Sequence, residues 1–222
     1  VLYLYHKEAG IASLTLTGDE HRYLFKVRRH KAGESLALRN LEDRLLYTYR
    51  IEHLDRRSAV LHLCSQTVCE VKAKTPLHIG WCVIDPKSVE KVLPSLNEMG
   101  VEQITFIYCQ RSQKSFTLDF KRLEKILLNS SQQSGRSTRM KLAMAQSLEA
   151  FLLEYPQSKL VNFSKCPVAE ERGEVPLIIG CEGGFSEEEV ARFSSDRIVG
   201  FDTPLVLRSE SAVCAVASKV LL

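Results

Sequence analysis

Three stretches of the sequence gather residue types that can do chemistry. The first, Leu177-Ile178-Ile179-Gly180-Cys181-Glu182-Gly183-Gly184-Phe185-Ser186, runs an apolar segment into a loop with three glycines in five positions. Glycine has no Cβ and tolerates positive φ, so backbone N–H and C=O groups there can approach a ligand closely, and a side chain at Gly183 is expected to fill space that a ligand needs. In open α/β sheets ligands bind at the carboxyl ends of strands, where such a loop lies. The pattern is neither G-x-G-x-x-G nor G-x-x-x-x-G-K-[ST], which argues against ordinary dinucleotide and P-loop nucleotide sites. The second stretch, 200–212, places Arg208 and Glu210 on either side of a serine at a helix start. By themselves they read equally as a surface cation and an acid that complements the helix dipole. The third, Ser131-Gln132-Gln133-Ser134-Gly135-Arg136-Ser137, ends a helix in small polar residues with an arginine just beyond, a common helix terminus.

The elements that would position these residues fall into two groups. Residues 1–72 read as a small β-barrel domain, with strands over 2–5, 35–38, 45–51 and 59–63 and one helix over 19–28. Residues 73–222 alternate strands and helices, which implies a mostly parallel sheet with flanking helices. Strands are expected at 77–84, 103–109, 160–163, 175–180, 198–200 and 205–207. Helices are expected from an Asp85 cap with Pro86 at the first position to a closing Gly100, then over 119–134, 147–155, from the Ser186/Glu189 capping box through Phe193, and over 210–222. Pro94 should kink or shorten the first of these.

Charge is distributed unevenly: residues 1–74 hold 13 Lys+Arg against 9 Asp+Glu, residues 111–141 hold 8 against 2, and residues 142–222 hold 7 against 12. The basic segments read either as solvated faces or as phosphate contacts. Seven cysteines, an odd number without any C-x-x-C, fit reduced thiols in a cytoplasm, and no metal site is expected. The apolar runs are far shorter than the roughly 20 residues of a membrane span, and the amino terminus does not read as a secretion signal.

Taken together and in order, the motifs resemble those of the bacterial small-subunit ribosomal RNA uridine-N3 methyltransferase family. That family carries Gln-Ser-Gly-Arg, Gly-Pro-Glu-Gly-Gly-Phe-Ser and Leu-Arg-Thr-Glu-Thr-Ala segments. Here they stand as Gln133-Ser134-Gly135-Arg136, Gly180-Cys181-Glu182-Gly183-Gly184-Phe185-Ser186 and Leu207-Arg208-Ser209-Glu210-Ser211-Ala212. The run from His21 to Arg29 followed by Gly33-Glu34 is similar to the family's amino-terminal basic region. Cys181 stands where the family has proline, and Thr203 and Leu205 where it has glycine and arginine.

The resemblance implies a SPOUT-type, trefoil-knotted α/β domain, preceded by a PUA- or OB-like barrel. S-adenosylmethionine would be the cofactor, held by Ile179, Gly180, Cys181, Glu182, Gly183, Gly184, Phe201, Asp202, Leu205, Val206, Leu207, Ser209 and Ala212. It implies a homodimer acting on N3 of a uridine in 16S ribosomal RNA of the small subunit. Arg136, reaching the partner's cofactor, Arg208 and Glu210 would be catalytic, with Glu182 an alternative to Glu210 for the proton. Lys26, Arg28, Arg29 and Arg111 would contact RNA, with Arg56 and Arg57 adding to the barrel's basic face. Two alternatives stay open: a knotted methyltransferase acting on ribose 2′-hydroxyl or transfer RNA, and a non-catalytic RNA-binding module for ribosome assembly.

Overall fold

The structure, a computed structural model, describes residues 2–222; Val1, where the first expected domain begins, lies outside the described residues. The chain divides into two compact units.

The first unit takes in residues up to 72 and residues 131–139. It contains β1 (Leu4–Tyr5), β2 (Ser13–Thr17), α1 (Gly18–His21), β3 (Ser35–Arg39), β4 (Leu45–Leu54) and β5 (Ser58–Val68). These strands form one sheet in the order β1-β3-β4-β5-β2, with β1 parallel to β3 and the remaining pairs antiparallel. Alternate residues face inward, so Leu14, Leu16, Leu36, Leu38, Tyr49, Ile51 and Leu61 build a common core. Strand β2 was not expected, although its Ser-Leu-Thr-Leu-Thr alternation is a period-two signal. The helix expected over 19–28 is instead one α turn followed by a π-helical stretch, Arg22–Val27. In it the Arg28 amide donates to the Tyr23 carbonyl, five residues back, at 2.9 Å. Segment 131–139 is held by Tyr3 Oη donating to the Arg136 carbonyl at 2.8 Å and by Ser137 Oγ accepting from the Val71 amide at 2.9 Å. Burial pushes the Tyr3 phenol up to about 12, against the opposing pull of Arg39, Arg136 and Arg139.

The second unit takes in residues 73–130 and 140–222. Its elements are β6 (His78–Cys82), α2 (Pro86–Met99), β7 (Gln103–Ile107), α3 (Phe120–Ser134, its last turn grouped with the first unit), β8 (Lys141–Ala145), α4 (Leu148–Glu154), β9 (Lys159–Val161), β10 (Leu177–Ile179), α5 (Glu187–Val190), β11 (Ile198–Val199) and α6 (Ser209–Leu221). Six strands pair in the order β11-β9-β10-β6-β7-β8, and every pairing is parallel. From β6 the chain builds β7 and β8 to one side and then returns to lay β9, β10 and β11 on the other. The β6/β10 boundary is therefore a topological switch point, where a ligand crevice is expected. Trp81, Phe106, Ile178, Val213 and Val216 are fully buried around it, and the central strands carry continuous apolar runs because helices cover the sheet.

Several expectations are corrected. Residues 205–207 form no strand: the Thr203 amide bonds the Phe201 carbonyl at 2.9 Å and the Leu205 amide bonds Thr203 Oγ1 at 3.2 Å, so the segment is folded into tight turns around Pro204. Strand β8 was missed. Helix α5 stops at Val190 rather than Phe193, and Pro94 does not shorten α2, which holds it inside and reaches Met99. Cys82 and Cys109, expected as thiols, are paired in a disulfide. They lie at the ends of neighbouring strands with Cα atoms 5.8 Å apart, inside the bridging range of roughly 4.4–6.8 Å.

Helix α2 is capped as its sequence predicts, with Asp85 accepting from the Ser88 amide at 3.3 Å and Gly100 closing it at φ 101°. A Cβ on Gly100 would also stand 2.6 Å from the Ala73 Cβ. Gly100→Ala is expected to lower stability by about 1 kcal/mol or more in urea titration.

Candidate active site

At the switch point the start of α6 is tied to both central strands. Trp81 of β6 donates its Nε1 proton to Ser209 Oγ at 2.9 Å, and Ser209 donates its own proton to the carbonyl of Gly180, directly after β10. A serine hydroxyl can accept and donate at once, so one side chain satisfies a buried indole N–H and ties it to a loop carbonyl. Ser209, expected from the motif to touch cofactor, therefore also sets the spacing between the glycine loop and α6.

The glycine loop is clasped from its other end. Its capping box is complete: Ser186 Oγ accepts from the Glu189 amide at 3.1 Å and Glu189 Oε2 accepts from the Ser186 amide at 2.9 Å. Glu189 is only 3% exposed, and its second oxygen accepts the Gln110 amide at 2.8 Å. A carboxylate is tolerated at such depth because its oxygens are hydrogen-bonded. Next in the chain, Arg111 Nη1 donates to the Gly183 carbonyl at 2.8 Å. The residue expected to meet RNA is thus engaged with the loop through one of its donors.

Between these ties lies a cavity of about 280 Å³. Every residue expected at the cofactor lines it except Asp202, which lines an adjacent cavity with Ser164 and Lys165. Sequence reasoning missed Val161, Asn162, Phe163, Phe185 and Thr203. Val161 ends β9 and Asn162 and Phe163 follow it, and the carboxyl end of a strand neighbouring β10 was the signal that would have found them. Leu205, Val206 and Phe163 are 70%, 77% and 78% exposed, apolar surface that a ligand would cover. The amides of Glu182, Gly183, Val206 and Leu207 have no acceptor among the described residues and remain available to one.

The charged residues are placed less simply. Glu182 is the one charged side chain in the lining. Arg208 is exposed at the N-cap of α6 and Glu210 is half-buried in its first turn. Arg136 belongs to the first unit, buried, with Nε donating to the Thr138 carbonyl at 3.1 Å. Lys26, Arg28 and Arg29 are exposed on the π-helical stretch and just beyond it. The steric expectation at Gly183 is corrected: a Cβ there would point at Arg111, 3.3 Å from its Cβ, whereas Gly184, at φ 66°, has open space in that direction. Among the described residues no group of three or more His, Cys, Asp or Glu could hold a metal ion.

Removing the Ser209 hydroxyl leaves the fully buried Trp81 indole N–H without its partner, at a cost of about 1–3 kcal/mol, and unties the Gly180 carbonyl from α6. Ser209→Ala is expected to weaken S-adenosylmethionine binding about tenfold or more in calorimetric titration, while Ser209→Thr, which keeps the hydroxyl, retains it.

Comparison with known proteins places the chain. Residues 71–221 match the family model described as an RNA methyltransferase domain, and residues 16–64 match an RNA methyltransferase PUA domain. Ribosomal RNA small subunit methyltransferase E of Helicobacter pylori (strain 26695) is 36% identical over 220 residues, covering 97% of each chain. The protein of the same name from Aquifex aeolicus is 22% identical over 227 residues, covering 98% of each. Among solved structures, ribosomal RNA small subunit methyltransferase E of Neisseria gonorrhoeae bound to S-adenosyl methionine superimposes with a TM-score of 0.83 at 19% identity, covering 97% of this chain and 94% of that one. A Legionella pneumophila structure in complex with the bound cofactor SAM gives a TM-score of 0.80 at 25% identity, covering 98% and 96%. The architecture is a PUA-like β domain joined to a SPOUT-type α/β domain, and the chain belongs to the ribosomal RNA small subunit methyltransferase E family.

Proposed function

We propose that this chain methylates N3 of a uridine in 16S ribosomal RNA of the small subunit, using S-adenosylmethionine, and that it works as a homodimer in the cytoplasm. The observation that carries the reading is the cavity at the β6/β10 switch point, bounded by the glycine loop and the start of α6. When bound, the cofactor supplies an electrophilic methyl group on a sulfonium. The loop and the 205–207 segment orient it through backbone donors and apolar side chains, which converts an encounter into a positioned reaction.

Uracil N3 is nucleophilic only after losing its proton, so the protein must accept that proton and lower the cost of the resulting anion. Glu182 or Glu210 would take the proton. Arg208 and Arg136 would stabilise the anion, each as a fixed cation worth more in the transition state than in the ground state. Glu182 being the sole charged side chain in the lining supports a site completed by arginine from outside it, and we assign that role to Arg136 of the partner subunit in a two-fold dimer.

Mass spectrometry of small-subunit ribosomal RNA from cells with and without the gene is expected to show loss of one 3-methyluridine. Loss of a ribose methylation instead, or no change, would overturn the assignment. In single-turnover assays Arg136→Ala and Arg208→Ala should each slow methyl transfer by about 10² or more with little change in cofactor affinity. Gly184→Val, whose side chain would stand in the open space beside the cavity, should lose cofactor binding, and mixing it with Arg136→Ala should restore activity to those heterodimers in which one composite site is intact; no recovery at any mixing ratio counts against the shared site.

A further inference from the structure

Strand β1 does more than close an edge of the first unit's sheet. It pairs with β3, and the His6 amide that follows it donates to the Arg39 carbonyl at 3.0 Å. Its other donors turn to the Gln-Ser-Gly-Arg segment, far along the chain. The Leu2 amide donates to the Gln132 carbonyl at 2.8 Å, the Tyr5 amide to Gln132 Oε1 at 2.9 Å, and the Tyr3 hydroxyl to the Arg136 carbonyl at 2.8 Å. The Arg139 guanidinium lies 4.9 Å from the Tyr5 ring centre, a contact from the segment's other end. Gly135 turns the segment at φ 82°, and a Cβ there would stand 2.8 Å from Leu2 Cδ1, so this position needs glycine both for its turn and for its approach to β1.

These ties converge on Arg136. Tyr3 holds its carbonyl, and its own Nε donates to the Thr138 carbonyl at 3.1 Å, so backbone and side chain are each held within the unit. Next in the chain, Ser137 Oγ accepts from the Val71 amide and donates to the Val71 carbonyl. The Tyr3 ring is itself fixed, buried with the Arg39 guanidinium 5.3 Å from its centre. A segment held by apolar contact alone can slide; one held by directional bonds at 132, 136 and 137 cannot move without breaking one. We propose that Tyr3 is a positioning residue for methyl transfer: its hydroxyl sets the Arg136 backbone, and through it the guanidinium that stabilises the uridine anion. The proposal rests on the reading of Arg136 given above. Burial pushes the Tyr3 phenol up to about 12, so at neutral pH it stays a donor and takes no proton from uracil. Displacing a preorganised cation from where charge develops costs rate without equal loss of binding.

The test compares two variants of the full-length protein. Tyr3→Phe keeps the ring and loses the hydroxyl. Tyr49→Phe loses another buried phenol hydroxyl of the same sheet, one bonded to Gly10 and Ile11 rather than to residues 131–139. In single-turnover assays at saturating S-adenosylmethionine and 16S ribosomal RNA transcript, Tyr3→Phe is expected to slow methyl transfer about tenfold, with cofactor and RNA affinities unchanged. Tyr49→Phe should keep the wild-type rate. The rate–pH profile of Tyr3→Phe should fall in height with its limbs in place, because the phenol does not titrate in that range. Adding Tyr3→Phe to Arg136→Ala should cost nothing further, since both lesions remove one function. A wild-type rate for Tyr3→Phe, an equal fall in Tyr49→Phe, a moved limb, or a further loss on top of Arg136→Ala overturns the proposal. A wild-type rate for Arg136→Ala sinks instead the catalytic reading on which it rests, so the two fail separately.

Discussion

The hydroxyl of Ser209, shared between the Trp81 indole and the Gly180 carbonyl, is the interaction on which the candidate site depends. Three elements distant in sequence, the central strand β6, the loop after β10 and the first turn of α6, have to meet at one point for a cavity to exist beside them. A parallel sheet brings the strand ends together but does not fix how far a loop stands from a helix start. A buried hydroxyl with one donor and one acceptor to satisfy does fix it, because a displacement leaves the buried Trp81 indole N–H unpaired. On the opposite side the Glu189 carboxylate and the Arg111 guanidinium hold the same loop against the segment after β7. The loop is therefore held at both ends, and its glycines at 180, 183 and 184 leave backbone open beside the cavity, which is the arrangement that backbone recognition of a small ligand requires.

Much of this was legible in the sequence. Asp85, Pro86, Gly100 and the Ser186/Glu189 box mark helix ends through chemistry that acts within four residues, and the structure uses each of them. The glycine loop and the Leu207–Ala212 motif were readable by type and spacing, and together they supply most of the cavity lining. What could not be read depends on contacts far apart in the chain. Residues 205–207 are apolar enough for a strand, but the turns at Thr203 and the lack of a partner strand decide otherwise. Nothing within a local window says that Ser209 will meet a residue 128 positions earlier. The π-helical stretch was likewise hidden, since its hydrogen bonds differ by one residue from an α-helix built on the same apolar pattern.

The two units differ in charge. The first keeps several cations without carboxylate partners, while the second carries more acid than base over its last 81 residues, 12 Asp+Glu against 7 Lys+Arg. Net charge alone, +3, hides the contrast. Such a split allows long-range attraction of a polyanion to act on one surface while the cofactor cavity remains nearly uncharged, with Glu182 alone in its lining.

Hydrogen–deuterium exchange of the intact protein, with and without S-adenosylmethionine, tests the central claim most directly. The account predicts cofactor-dependent protection in 161–163, 180–185 and 203–212, the segments that line the cavity and are held through Ser209, with the amides of Glu182, Gly183, Val206 and Leu207 slowed as they gain acceptors. Cofactor binding that left these segments unprotected, or that protected the first unit instead, would contradict it.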